Sequence, residues 1–322
     1  MNKNIGIIGA GDIGITLAEL LAVHSYNVKV FNRYHEVDGK PSAQWLGKEG
    51  KFMDVTDGLE LPGFGEVELT HNLDDLKNNF AVVITAGAKR SSPTETREEL
   101  AKKNAAIIKG FAQFVVDSSE SIILIISNPV DSLTEILIKE VARISSKDTK
   151  EVAKRIFGVS LVDSMRLRNI VRTELKILDK LRADTTITGI AVGEHGPSMV
   201  PLLSSVKIDG QKLDKFFDER TIEEIKQHTI LRGNDIIKLT GASSVSGPAY
   251  AAMHMIRSIV EEEHSELPCS SFDGEVAIGQ IVKFNKQKFS HIVNITMLDT
   301  EKEEYKKSRI ALLKQFNAIN SN

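Results

Sequence analysis

The sequence predicts an α/β fold: a doubly wound parallel sheet followed by a second unit of α+β type. Three observations carry that expectation. Short, continuous apolar runs recur along the first half, each closed by glycine, alanine or asparagine. Each run is followed by apolar residues at helical spacing, so the order strand, helix, strand repeats, which demands parallel pairing with helices on both faces. The first run, Asn4-Ile5-Gly6-Ile7-Ile8, passes directly into Gly9-Ala10-Gly11-Asp12-Ile13-Gly14 and then into Leu17, Leu20 and Leu21.

That turn organises the chain. In a GxGxxG turn the first glycine allows a tight bend, the second lets backbone approach a pyrophosphate, and the third lets helix pack on strand. The helix N-terminus then offers free N–H groups to an anion. Gly9, Gly11, Asp12, Ile13 and Gly14 are therefore the expected cofactor-binding turn of a dinucleotide site. The alternative is a purely structural glycine turn; its place after a strand and before an amphipathic helix argues against that.

Residues 27–31 form the second strand, and Asn32-Arg33 closes it. About twenty residues past the glycines is where an acid binds the ribose hydroxyls of NAD. Here the acid is absent. Asparagine does not repel a 2′-phosphate, and Arg33 could pair with one. The cofactor expected is NAD(H) or NADP(H), with a slight lean to NADP(H); in the alternative, Arg33 is a solvated charge and Asn32 still bonds the ribose. Residues 34–51 hold Gly39, Pro41, Gly47, Gly50 and the only tryptophan, Trp45, and read as a loop, with a helix starting near Phe52.

Further strands are expected at residues 67–70, 80–85 and 122–127. The second of these ends in Ala86-Gly87-Ala88. The polar residues 90–97, with Pro93, form a loop whose end caps a helix through Leu100, Ala105, Ile108 and Phe111. Asn128-Pro129 breaks the strand before it, and residues 130–142 read as a helix with proline at its favoured first turn. Ligands bind at the carboxyl edge of such sheets, so Gly11, Thr85, Gly87 and Asn128 should converge there. The polar stretch 145–150 closes a dinucleotide-binding domain, residues 1–150. Residues 151–322 form a substrate-binding and catalytic domain. In it, strands are expected at 155–159, 186–192, 276–284 and 289–298, and helices at 163–181, 222–239, 248–262 and 299–316.

The 322 residues are 41% hydrophobic and 26% charged, as two ordinary globular domains would be. A net charge of −3 without a long basic run leaves nothing for nucleic acid. Cys269 is the single cysteine, which excludes an intrachain disulfide and a cysteine-built metal cluster; no metal is expected. No run approaches the roughly 20 apolar residues of a membrane span. The chain enters a strand after Met1-Asn2-Lys3, which leaves no room for a signal peptide, so a cytoplasmic location is expected.

Five pieces remain to be joined: the glycine turn, the segment from Arg90 to Arg97, Ser127-Asn128-Pro129-Val130-Asp131, Asp163-Ser164-Met165-Arg166 and Gly193-Glu194-His195-Gly196. In this order, and over nearly the whole chain, they resemble the lactate and malate dehydrogenase family. The resemblance implies a Rossmann-type domain and an oxidoreductase that moves a hydride between NAD(P) and a small 2-hydroxy acid, with malate and oxaloacetate favoured. By family analogy the chain is a homodimer or homotetramer.

The residue types suit that chemistry. A keto acid reduction needs a proton donor in the carbonyl plane, and histidine titrates near working pH; His195 matches the acid/base. Asp163 matches the carboxylate that fixes the imidazole tautomer. Arg166 matches a bidentate clamp on the substrate carboxylate; Arg168 and Arg172 read as surface charges. Arg97 matches the arginine that polarises the carbonyl, with a first-turn helix arginine as the alternative. Arg90 matches the position that reads a second carboxylate, hence malate. Asn128 matches the asparagine beside nicotinamide and carbonyl, Asn104 joins the cofactor set, and Ser243 and Ser244 fall where small hydroxyls line the substrate pocket. Rival readings are a lactate-type or other 2-hydroxy acid dehydrogenase, and a dinucleotide-binding sensor or scaffold that has lost catalysis. An NAD-dependent glycosidase would need a cysteine–histidine metal site, and Cys269 stands alone.

Overall fold

The computed structural model describes residues 3–88 and 96–320. The first part runs β1 (Asn4–Ile8), α1 (Asp12–Val23), β2 (Asn27–Phe31), a small hairpin of β3 (Glu36–Val37) and β4 (Lys40–Pro41), α2 (Ala43–Gly58), β5 (Val67–Thr70), β6 (Ala81–Ile84), α3 (Arg97–Lys109), α4 (Ala112–Asp117), β7 (Ile122–Ile125), α5 (Val130–Ser145), α6 (Thr149–Ala153) and β8 (Ile156–Gly158). Six of these strands lie parallel in the order β5-β2-β1-β6-β7-β8. The unbroken apolar sequences of β6 and β7 follow from burial on both faces, whereas β2 and β5, toward the edge, carry the charged pair Lys29 and Glu68. Successive residues alternate between two cores. Ile5, Ile7, Val83 and Leu124 share a core with Leu17 and Leu21 of α1 and with Ala252, Met255 and Ile256, whereas Ile8, Val82, Ile84, Ile123 and Ile125 pack with Ile108, Leu133 and Leu137 from α3 and α5.

The second part adds α7 (Leu161–Ile177), β9 (Ile187–Gly193), β10 (Met199–Ile208), β11 (Gln211–Lys212), α8 (Glu219–Thr240), α9 (Ser246–Glu261), β12 (His264–Phe272), β13 (Ala277–Asn285), β14 (Lys288–Val293) and α10 (Asp299–Asn320). These strands are antiparallel and continue the parallel sheet: β12 joins β8 where Ser270 meets Gly158, and β13, β9, β10 and β11 follow. At the β13–β9 crossing, a Cβ on Gly279 would lie 2.6 Å from the Gly193 carbonyl oxygen. Only glycine permits that approach, and it brings the end of β9 against the rest of the sheet. The result is a Rossmann-type parallel sheet with an α/β second domain. No described helix is long and apolar enough to cross a membrane.

Two expectations change. Residues 43–58 are a helix, where a loop was expected as far as Lys51. Ser42 caps it, accepting the Trp45 N–H at 3.2 Å. Trp45 is buried, with ring centroids 5.1 Å from Tyr34 and 5.9 Å from His71. That anchoring, with Phe52 in the core, offsets the roughly 1 kcal/mol that each of Gly47 and Gly50 costs a helix. Strands β10 and β12 were also not anticipated. Both contain proline and serine, yet Pro268 and Ser270 are paired with β13 inside the sheet; tertiary burial overrides a polar pattern.

Candidate active site

The glycine turn has the geometry its sequence demands. Gly9 has φ +118°, and a Cβ on Gly14 would sit 2.0 Å from the Gly9 carbonyl oxygen. A Cβ on Gly11 would meet nothing within 4 Å. The open space lies at Gly11, the N-cap of α1, which has no side-chain cap bond. The first N–H groups of a 12-residue helix therefore face a clear approach. These features fit a pyrophosphate. The Thr85 hydroxyl donates to the Gly9 carbonyl at 2.9 Å and the Ile8 carbonyl at 3.2 Å, tying the turn to the end of β6. Asp12 is exposed and Ile13 half-buried. Asn32 accepts the Ala10 N–H at 3.4 Å and donates to the Arg33 carbonyl at 3.2 Å, while Arg33 is exposed.

The next two strand ends are braced together. Asn104 is buried; its Oδ1 accepts the Ala88 N–H at 2.7 Å and its Nδ2 donates to the Asn128 carbonyl at 2.7 Å. Its amide thus fixes the loops after β6 and β7 around the exposed Gly87 and Asn128. The Ser127 hydroxyl adds a bond to the Ala86 carbonyl at 2.6 Å. The Asn128–Pro129 peptide is cis.

The titrating cluster sits where α7 starts and β9 ends. Asp163, in the first turn of α7, is buried and takes a different partner on each oxygen. Oδ2 lies 2.7 Å from His195 Nδ1, and Oδ1 accepts from Arg166 Nη1 at 3.2 Å. His195 retains 17% of its side-chain exposure and Arg166 14%. With Nδ1–H donated to the carboxylate, Nε2 is the ring atom free to give or take a proton. Burial opposes charging the ring, but the Asp163 charge and hydrogen bond favour it, and the net effect raises the His195 pKa. Five sequence-expected groups therefore stand at the carboxyl edge: the glycine turn, Thr85, Asn128, Asp163 with Arg166, and His195.

Arg97 opens α3, exposed, behind a Thr96–Glu99 capping box. No bond described here joins it to His195, Asp163 or Arg166. Ser243 is exposed and Ser244 half-buried, between α8 and α9. Arg90 lies outside the described residues. Arg168 departs from expectation: its Nη1 donates to the Gly189 carbonyl at 3.1 Å and burial lowers its pKa, so it ties α7 to β9, whereas Arg172 is exposed.

The sequence reading assigned no role to the residues that hold the His195 backbone. Asp131 Oδ2 accepts the His195 N–H at 2.7 Å, from the first turn of α5. Ser308 of α10 accepts the Glu194 N–H at 2.6 Å, and Glu194 in turn accepts from the Ser198 N–H at 3.0 Å. Asp131 is 2% exposed, and burial pushes its pKa up to about 6 against the Ser270 hydroxyl and the His195 N–H, which favour the charged form. An acid directly after Asn128-Pro129-Val130 was the available signal.

A doubly wound sheet with a glycine turn at its carboxyl edge, and an imidazole anchored by carboxylates from the helices that follow β7 and β8, defines a dinucleotide-dependent oxidoreductase fold. Residues 3–153 match the model for the lactate/malate dehydrogenase NAD binding domain, and residues 161–322 that for the lactate/malate dehydrogenase alpha/beta C-terminal domain. The chain belongs to the lactate/malate dehydrogenase family and is an oxidoreductase acting on CH–OH donors. Malate dehydrogenase 2 of Aquifex aeolicus is 31% identical over 85% of this chain and 78% of its own length. The crystal structure of Cryptosporidium parvum malate dehydrogenase superposes with TM-score 0.83 at 28% identity, covering 100% of both chains. Plasmodium falciparum malate dehydrogenase in complex with NADH superposes with TM-score 0.79 at 25% identity, over 98% of this chain and 100% of that one.

Proposed function

We propose that this chain interconverts malate and oxaloacetate with NAD(H). The observation that carries the reading is the Asp163 carboxylate, bonded at 2.7 Å to His195 and at 3.2 Å to Arg166. That arrangement supports the reading by fixing an acid/base imidazole and a guanidinium on the two oxygens of one carboxylate. In reduction, His195 Nε2 gives its proton to the substrate oxygen; in oxidation it removes the hydroxyl proton. Asp163 holds the imidazole in the Nδ1–H tautomer and stabilises the charged ring. Arg166 binds the carboxylate next to the reacting carbon, and fork geometry fixes distance and angle together. Arg97 polarises the carbonyl, Arg90 reads the second carboxylate, Asn128 orients the carbonyl and nicotinamide, and Ser243 and Ser244 line the pocket. The cofactor, when bound, supplies or accepts the hydride.

Cofactor contacts fall to Gly9, Gly11, Asp12, Ile13, Gly14, Asn32, Arg33, Thr85, Gly87 and Asn128, with Asn104 bracing the last two. The matched family domain is described by its binding of NAD, and Asn32-Arg33 leaves room for NADP(H) as a second cofactor. The division of labour falls at residue 150, with cofactor binding before it and substrate binding after it. The working unit is a cytoplasmic homodimer or homotetramer, and its mass in solution by sedimentation tests that.

The deciding assay follows oxidation of NADH and NADPH across keto acids and keto diacids. Oxaloacetate turning over fastest with NADH supports the reading. Pyruvate as the preferred substrate favours lactate-type specificity. Tight NADH binding with no turnover on any member refutes an enzymatic role.

A further inference from the structure

The stretch that reads as a loop in the sequence delivers two lysines to the glycine turn. Lys48 Nζ donates to the Ala10 carbonyl, and Lys51 Nζ stands 3.8 Å from Asp12 Oδ1. The N–H of the same Ala10 faces Asn32 Oδ1 at 3.4 Å. An ammonium and a carboxamide therefore flank one residue of the turn. The end of the second strand beside such a turn is where the adenosine ribose lies, and where a carboxylate usually meets it. Here that carboxylate is replaced by an amide, and a cation is brought in from α2.

The cation is held in place by packing. Trp45, one turn earlier on α2, is 5% exposed and lies edge-on to Tyr34 and His71, which follow β2 and β5. Its Nε1 donates to Glu49 at 2.6 Å. The start of α2 is thus pinned to the two strand ends that border the adenosine side. A phosphate oxygen accepts from an ammonium more strongly than a carbonyl does.

We propose that Lys48 is a cofactor-binding residue whose ammonium exchanges the Ala10 carbonyl for a phosphate oxygen on the adenosine half of the dinucleotide. This rests on the dinucleotide-dependent reading above. Two phosphates offer the same chemistry: the pyrophosphate, common to both cofactors, and the 2′-phosphate of NADP(H).

The chain carries one tryptophan, and it is Trp45, so its fluorescence reports binding beside the proposed contact. Wild type, K48M and K48R are titrated with NADH and NADPH, without substrate. Loss of a charged hydrogen bond weakens binding about tenfold or more. Equal weakening of both cofactors in K48M, recovered in part by K48R, assigns the pyrophosphate. Weakening of NADPH alone assigns the 2′-phosphate. Unchanged dissociation constants for both, in a K48M protein that still melts like wild type, overturn the Lys48 assignment and leave the dehydrogenase reading intact. A wild-type protein that binds neither cofactor overturns both.

Discussion

Replacing Asp131 by asparagine should stabilise the protein at alkaline pH and not at acid pH. Asp131 lies behind the catalytic loop, 2% exposed, with Oδ2 accepting the His195 N–H at 2.7 Å. The groups that face it are His195 and Glu194 from the end of β9, Ser270 of β12 and Tyr305 of α10. Burial is the largest influence and lifts its pKa from 3.8 to about 6. The folded pKa thus exceeds the unfolded one, so the native state binds the extra proton. The stability this contributes is fully present below about 3.8 and is lost as pH rises through about 6. Two pKa units correspond to roughly 3 kcal/mol. Asparagine keeps an oxygen for the His195 N–H and never ionises. Asp131→Asn should therefore gain about 1–3 kcal/mol over wild type at pH 8, with the gain shrinking toward zero near pH 4. Urea unfolding of both proteins at the two pH values measures the difference. An equal effect at both, or a loss at pH 8, would refute the reasoning.

Further outcomes follow from the same geometry. Asp163→Asn removes the charge that anchors His195 and should lower turnover by roughly 10³–10⁴-fold; a change under tenfold would remove Asp163 from its role. Because the His195 pKa is raised, keto acid reduction should persist above the ordinary histidine range and fail as pH climbs past the folded pKa, whereas hydroxy acid oxidation should fail as pH drops below it. Identical pH profiles in the two directions would contradict a single proton at His195. Gly14→Ala drives a methyl group onto the Gly9 carbonyl, 2.0 Å away, and should cost about 1–3 kcal/mol of stability, read from the urea midpoint, together with NADH affinity. Arg90→Gln should shift preference from oxaloacetate toward smaller keto acids; an unaltered ratio places Arg90 outside the pocket.

The parallel half of the fold was legible because its central strands β6 and β7 are buried at every residue, and continuous apolar runs such as 81–84 and 122–125 have no other reading in that context. The antiparallel half was less so. In β12 the buried residues include Ser265, Ser270 and Ser271, and period and hydrophobicity both fail as signals there. The first half of helix α2 was missed for a different reason. It carries Gly47 and Gly50, and what holds it is a contact between Trp45, Tyr34 and His71 that no local window contains. His195, Asp163 and Arg166 were recoverable because their chemistry is tied to short motifs. Asp131 left only its place after Asn128-Pro129-Val130 as a signal, because it acts through a backbone N–H, and Lys48 left none, because its contact with Ala10 spans 38 residues of sequence.

The position of His195 depends on both halves of the sheet. The residue itself follows β9, an antiparallel strand, but its two carboxylate contacts come from helices that leave the parallel strands: Asp163 from α7, after β8, and Asp131 from α5, after β7. One carboxylate holds the ring and the other holds the backbone, from different helices, so rotation of the loop would break at least one of them. The joint between the halves is narrow, with Gly158 pairing with Ser270, and inside the antiparallel half β9 meets β13 only where Gly193 pairs with Gly279. At both crossings a glycine allows an approach that a Cβ would block, the added carbon lying 2.8 Å from Ser270 in the first case and 2.6 Å from the Gly193 carbonyl in the second. These glycines lie away from the proton-transfer atoms, yet they set the distance between the strand that carries the imidazole and the helices that carry its anchors. Proximity in the active site is therefore established by backbone contact at the seam, and the side chains complete a geometry that the sheet has already imposed.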